Sequence, residues 1–375
     1  MNKEWLKCGF ILYGCGLEAE KYICRNMEML SYIEDCVDGY RNGYFHGNLI
    51  KKIEQIKDIS NRKILVASLP ETYQRIKAVL DTLGLSEFKH YAHISYFEKK
   101  IIAINANCHG AGLVRYLNMS KEFRKKYVIY PIPEIQSNSN KEISPLLLGN
   151  LDVLITQDVR IGNKFSDKLS LEYLKFHVNA SCEIIVIPNM VGMGTWLYPQ
   201  HGNNDIIVKT ANGEWPLMHE NLVIESAIKA GCKELSEFVE YLNDYEFDEK
   251  IIKDNFYKFI KKIEARELNW DIKIKDYILK HIGVSAVFCD KDHPSVEMMK
   301  YIGKKVIKKL KLKNIDDNEY DFILGLPMPL LRCVRNCFNI VGTENDCLNY
   351  YRCKDEDLLE TYIRNYLFIY HEIII

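Results

Sequence analysis

Three short stretches carry side chains whose types and spacing suit chemistry. The first is Asn107-Cys108-His109-Gly110, which follows an apolar run at 101–104 and precedes Leu113, Tyr116 and Leu117 at helical spacing. The thiol therefore stands on a turn between a strand and a helix. The first N–H groups of a helix have no partner within it; they favour a nearby thiolate and can hold an oxyanion. The same spacing also suits a small buried cysteine closing a tight bend. The second stretch is Asp290-x-x-His293-Pro294. An acid three residues before a histidine, on one turn, can fix the imidazole tautomer and stabilise its cation. The third is Gly14-Cys-Gly16-Leu-Glu-Ala19, with Asp38 about twenty residues on. Two such glycines let the backbone turn tightly and approach a phosphate, and the acid suits ribose hydroxyls.

Strands and helices in a regular order must position these groups. Residues 9–13, 32–37 and 63–68 read as strands, with helices expected from Leu17 to about Met29 and from Glu71 to about Leu83, where Gly84 ends the second. A second series of strands is expected at 101–104, 127–130, 151–156, 183–187 and 284–288. From Trp215 to His281 the pattern is helical and charged, which reads as an insertion and a candidate lid over the site. Val296, Met299, Ile302, Val306 and Leu310 mark a further helix, with Pro294 suited to its first turn. Strands alternating with helices argue for an α/β chain with two parallel-sheet, three-layer units, a helical insertion at about 215–281 and a C-terminal subdomain. A polar loop at 136–142 and a helix near 355–366 complete the reading.

Composition narrows the class of partner. The chain has 375 residues, 27% of them charged, and a net charge of −1, so nothing points to nucleic acid. No apolar stretch nears the roughly 20 residues that span a bilayer, and no secretory leader is evident. The twelve cysteines are therefore expected to be reduced thiols of a cytoplasmic protein. Cys108 with His109, Cys289 with His293, and Cys333 with Cys337 lack paired zinc-ligand spacing, and no metal is expected.

Two resemblances sharpen the function. Asp290-x-x-His293 resembles the terminal block of the SGNH hydrolase fold, where the nucleophile follows the first strand and later strand ends carry amide donors. On that likeness Cys108 stands for the usual serine and Gln157 takes the place of the oxyanion-hole amide. The chain lacks Gly-Asp-Ser and a clear Gly-x-Asn-Asp. Four blocks over 101–310 resemble the WcbI family of bacterial polysaccharide biosynthesis enzymes: Asn105-Ala-Asn-Cys-His-Gly110, Ile155-Thr-Gln-Asp-Val-Arg160, Ile185-Val-Ile-Pro188 leading to Trp196-Leu-Tyr-Pro199, and Asp292-His-Pro294. The family's usual Asn-Cys-Gln appears here as Asn-Cys-His.

The resemblance implies acetyl-CoA-dependent O-acetylation of a sugar for a capsule or exopolysaccharide. Cys108, His293, Asp290 and Gln157 would be the catalytic set, and Asn107, His109, Gly110 and Arg160 the coenzyme A contacts. Cys108 would either be acylated or support direct attack by a sugar hydroxyl that His293 deprotonates. Residues 1–98 look like the short Rossmann-like domain of sugar-modifying enzymes, with Gly14, Gly16 and Asp38 on a nucleotide or sugar. Residues 99–310 then form the acyltransferase domain, and 311–375 a subdomain that packs on the core or on another subunit of a homo-oligomer. Competing readings are a cysteine esterase or deacetylase of SGNH type, a non-catalytic nucleotide-sugar-binding protein, and, more remotely, a dehydrogenase.

Overall fold

Phe10–Tyr13 (β1) reads Phe-Ile-Leu-Tyr with all four side chains buried, as a central strand covered on both faces requires. The computed structural model describes residues 1, 3–137, 142–162, 164–207, 217–322, 328–341 and 358–374. The chain divides into two units. The first comprises Met1–Asn105, Phe123–Ile155 and Val159–Ile184; the second comprises Ala106–Glu122, Thr156–Asp158 and Ile185–Ile375.

In the first unit β1 is followed by Leu17–Arg25 (α1), Ile33–Val37 (β2), Tyr44–Phe45 (β3), Asn48–Lys51 (β4), Lys63–Val66 (β5), Pro70–Thr82 (α2), Tyr91–His93 (β6) and Ser95–Glu98 (α3). The strands form one sheet in the order β3-β4-β2-β1-β5-β6. All neighbours are parallel except the β3–β4 hairpin. Along β1 the side chains alternate between two cores. Phe10 and Leu12 share one with Tyr22 and Ile23 of α1, while Ile11 and Tyr13 share the other with Tyr73 and Leu80 of α2. This unit is thus a three-layer α/β structure. Gly14 has φ +95°, and a Cβ there would lie 2.3 Å from the Ala67 carbonyl oxygen, so the turn after β1 requires glycine. Gly84 ends α2 at φ +74°, with the Leu85 N–H closing back on the Leu80 carbonyl.

A second sheet is built from Lys100–Asn105 (β7), Tyr127–Tyr130 (β8), Val153–Gln157 (β9) and Glu183–Ile187 (β10), in the order β10-β9-β7-β8. Between them lie His109–Met119 (α4), Lys121–Lys126 (α5), Pro145–Leu148 (α6) and Leu171–His177 (α7). The chain leaving β7 and the last residues of β9 and β10 belong to the second unit. There, among the described residues, the short pair Ile206–Ile207 (β11) and Leu217–Met218 (β12) precedes seven helices: Leu222–Ala230 (α8), Leu235–Asp244 (α9), Glu249–Arg266 (α10), Lys275–His281 (α11), Val296–Lys309 (α12), Arg332–Phe338 (α13) and Leu358–His371 (α14). No helix among the described residues is long and apolar enough to cross a membrane.

The helix that carries the Cys108 turn is fixed by a close approach. Gly303 of α12 meets the Tyr116 ring of α4, and a Cβ on Gly303 would stand 2.2 Å from it. Gly303→Ala should therefore push α12 off α4 and cost about 1–3 kcal/mol, read as a lower midpoint in urea unfolding.

Several expectations change. Residues 284–288 are apolar enough for a strand, but the chain there folds back on itself. Ser295 donates to the Val287 carbonyl and Cys289 to that of His293, leaving a single bridge between Phe288 and Pro294. Pro294 lies before α12 rather than in it, because Ser295 is the N-cap, its Oγ accepting from the Met298 N–H. The helix after the glycine turn stops at Arg25 and continues as a 3-10 stretch. β3, β4 and β6 are too short for periodicity to reveal, although His46 and Gly47, at φ 45° and 85°, make the tight turn of a hairpin. Trp215, the middle of the 136–142 loop and the start of the expected 355–366 helix lie outside the described residues.

Candidate active site

The side chains that the sequence marks for acyl transfer meet in the second unit. Cys108 is the half-buried N-cap residue of α4, and its Sγ lies 3.3 Å from His293 Nε2. His293 Nδ1 in turn lies 2.8 Å from Oδ2 and 3.0 Å from Oδ1 of Asp290. Asp290 Oδ1 also accepts the backbone N–H groups of Asp292 and His293, at 2.7 and 2.8 Å. The acid therefore shapes the turn that presents the imidazole, as the Asp-x-x-His spacing requires.

The charges are set by that pairing. Burial pushes the Asp290 carboxyl upward, but the His293 charge and contact with His219 outweigh it and hold the acid well below the usual carboxylate range. Burial likewise disfavours a charge on His293, yet Asp290 and then Cys108 outweigh it and hold the imidazole well above its ordinary value. The resting pair is a carboxylate and an imidazolium, with the Nε2 proton facing sulfur. That arrangement suits a thiolate nucleophile.

The turn itself is locked by amides. The Asn107 N–H donates to Gln157 Oε1 at 3.1 Å, while Gln157 Nε2 donates to Asn107 Oδ1 at 3.0 Å and to the Pro188 carbonyl at 3.4 Å. Asn107 Oδ1 also accepts from the His109 N–H, and the Gly110 and Ala111 N–H groups reach the Asn107 and Cys108 carbonyls. Asn107 Nδ2 donates to Asn189 Oδ1. Gln157 is thus a brace, not the oxyanion donor that its strand-end position suggests, because both ends of its amide are engaged. The Cys108 N–H has no hydrogen-bond partner among the described residues and is a candidate oxyanion donor.

The expected coenzyme contacts differ in exposure. Asn107, His109 and Gly110 are buried and build the turn rather than presenting a surface. His109 lies edge-on to His293, and its Nε2 is 3.0 Å from the Asp292 carbonyl. Burial, with the neighbouring His293 charge, lowers its pKa to about 3, so the ring is neutral and its Nε2–H is the donor. Arg160 is exposed and belongs to the first unit.

The block around Trp196 packs against the loop that carries Asp290 and His293. Tyr198 donates to the Phe288 carbonyl, and Gly192 N–H donates to Asp292 Oδ1 at 2.7 Å. Gly194 approaches so closely that a Cβ would lie 2.2 Å from the Asp290 carbonyl oxygen. Trp196 is buried among Phe256, Phe259 and Phe338. Its role is packing.

One residue of the cluster is missed by sequence reasoning. His219 is buried, with Nδ1 3.2 Å from Asp205 Oδ1 and Nε2 3.5 Å from Asp290 Oδ1. No motif surrounds it; only the β11–β12 pairing brings it to the site. Donor atoms of Cys108, His109 and His293, and of His219, Asp290 and His293, lie close enough to surround a cation, but they already contact one another.

In the first unit Gly14, Gly16 and Asp38 line a cleft of about 770 Å³, with Tyr13, Tyr40 and Arg75. Asp38 is not free for a ribose, as the fingerprint suggests. Its two oxygens accept the N–H groups of Cys15, Tyr40 and Arg41 at 2.8–2.9 Å. Burial would raise its pKa, but these bonds hold it below the ordinary value.

The chain is similar to known proteins in family and fold. The family described as polysaccharide biosynthesis enzyme WcbI matches residues 101–314. A solved structure of WcbI, described as a novel polysaccharide biosynthesis enzyme in its native form without a disulfide bond between coenzyme A and a cysteine, matches with a TM-score of 0.50 and 15% identity. The match covers 71% of this chain and 98% of that one, and at such identity it speaks for the fold. No curated protein matches the sequence.

Proposed function

The chain belongs to the WcbI family of polysaccharide biosynthesis enzymes, and from that premise we propose that it transfers an acetyl group from acetyl-CoA to a sugar hydroxyl in capsule or exopolysaccharide biosynthesis. The observation that carries this reading is the relay from Cys108 through His293 to buried Asp290. Coenzyme A as donor is supported by the ligand named for the WcbI structure.

In the first half-reaction the Cys108 thiolate attacks the thioester carbonyl and forms a new C–S bond. The Cys108 N–H receives the oxyanion. Collapse breaks the bond to coenzyme A, whose sulfur leaves with the Nε2 proton of His293. The now neutral His293 accepts the proton of the sugar hydroxyl as its oxygen attacks the acetyl-cysteine. A second collapse restores the thiolate, facing a protonated His293. The resting imidazolium favours this route over direct attack, because direct attack needs His293 neutral from the outset.

Purified protein with acetyl-CoA should release free coenzyme A thiol at a rate that rises with added sugar acceptor. Hydrolysis of a chromogenic ester without coenzyme binding would replace the transferase by an esterase.

The first unit's cleft is, in this reading, the seat of a nucleotide-linked sugar. It opens at the carboxyl ends of β1 and β5, where the strand order changes direction, the usual ligand position in such sheets. Arg75 on its wall has no ion-pair partner among the described residues and suits a phosphate. Arg75→Ala should weaken a nucleoside diphosphate sugar about tenfold or more in calorimetric titration. Absence of any binding by the unaltered protein would remove this part of the proposal.

A further inference from the structure

The relay does not end at Asp290. β11 and β12 pair antiparallel, Ile206 with Met218 and Ile207 with Leu217. One step further along the same register, Asp205 stands opposite His219, and Asp205 Oδ1 is 3.2 Å from His219 Nδ1. On the other edge of the ring, Nε2 faces Asp290 Oδ1 at 3.5 Å and Asp292 Oδ2 at 3.9 Å. The His219 side chain is 1% exposed, and neither nitrogen makes a well-aligned hydrogen bond, so its partners are these charges.

We propose that His219 is a positioning residue of the acyl-transfer site, a second imidazole that joins Asp290 to Asp205 and so fixes the carboxylate that orients His293. The inference rests on the reading of Cys108, His293 and Asp290 as that site. Carboxylates only accept, so each edge of the ring faces a group that an imidazole N–H can serve. Asp205 Oδ2 meets Lys291 Nζ at 2.7 Å, and Lys291 is the residue after Asp290. The chain of contacts therefore returns to the loop it started from and clamps that loop against the hairpin.

The charges facing His219 are Asp205, Asp290 and Asp292, with Lys291 and His293 beyond them. Three carboxylates thus share the His219 ring with Lys291 and His293. Without the ring, buried Asp290 is left short of a partner, which is costly. The whole field of Asp290 then falls on His293. Loss of His219 should therefore make His293 harder to deprotonate while leaving Cys108 in place.

The test uses the full chain and needs no acyl donor. The His293 imidazole is titrated by NMR in the unaltered protein, in His219→Gln and in Asp205→Asn, alongside the pH dependence of Cys108 alkylation by iodoacetamide. His219→Gln should raise the His293 midpoint by about one pH unit and carry the alkaline limb of alkylation upward with it. Asp205→Asn, at a half-buried residue, should move both the same way by less. Metal content is measured in each protein. Midpoints that coincide with the unaltered protein in the folded Asp205→Asn and His219→Gln chains would overturn the inference. So would a stoichiometric metal ion lost from both variants, since His219 and Asp205 would then be ligands. A missing acetyl-enzyme, by contrast, would count against the proposed reaction and leave these shifts readable.

Discussion

Cys108→Ala should lower acetyl transfer by about ten-thousand-fold or more, with the KM for acetyl-CoA nearly unchanged. The sulfur is the atom that forms the new bond, and no second nucleophile lies on the turn: Asn107 and His109 are buried and bound to their neighbours. Cys108→Ser should be almost as inactive. A serine hydroxyl must lose its proton to the base, and the Asp290 charge, which still favours the protonated ring, makes His293 a poor proton acceptor. Both substitutions fall on a half-buried N-cap that makes no side-chain capping bond, so thermal unfolding should shift little. Steady-state kinetics beside a melting curve separates lost chemistry from lost fold.

Asp290→Asn should cost both activity and stability. An asparagine oxygen can still accept the Asp292 and His293 N–H groups, but its amide nitrogen would confront His293 Nδ1, donor against donor. The ring is then held as the neutral Nε2–H tautomer, which cannot take the proton of the sugar hydroxyl at Nε2, and the rate should fall by about ten-thousand-fold. Breaking a buried ion pair by removing one partner costs about 3–5 kcal/mol. The pH dependence follows from the directions of the two shifts. His293 is raised, so its contribution to stability is full below its ordinary value of 6.5 and is lost as pH rises through its folded value. Asp290 is lowered, so its contribution is present above its ordinary value of 3.8 and is lost as pH falls through its folded value. Urea unfolding should thus show the largest gap between parent and Asp290→Asn between those two ordinary values. The gap should narrow in strongly alkaline solution.

The parts of the site that sequence makes readable are the local ones. Cys108 stands out because an apolar strand, a polar turn and a helical pattern follow one another within a few residues. Asp290 and His293 stand out because three residues of spacing suffice to put an acid beside its imidazole. Gln157 was placed correctly at the end of β9, but its partner is Asn107, fifty positions earlier, and only the fold shows that the pair uses up both ends of the amide. His219 was invisible for a similar reason. Its neighbours Asp205 and Asp290 come from a two-residue strand pair and a distant loop, neither of which leaves a periodic trace. Residues 284–288 misled in the opposite sense: burial of Val287 and Phe288 makes an apolar run, while the hydrogen bonds to residues 293–295 make a closed loop of it. Asp38 kept its predicted place beside the glycine turn, yet it spends its oxygens on backbone amides that hold the turn's shape.

The central claim is an acetyl group carried by Cys108. Incubation with acetyl-CoA and no acceptor, followed by acid quenching and peptide mass spectrometry, tests it most directly. The account predicts a single added acetyl on the peptide containing Cys108, absent in Cys108→Ala and discharged when a sugar acceptor is added before the quench. Acetyl transfer to sugar that proceeds at full rate in Cys108→Ala, with no acetylated peptide at any time, would contradict it.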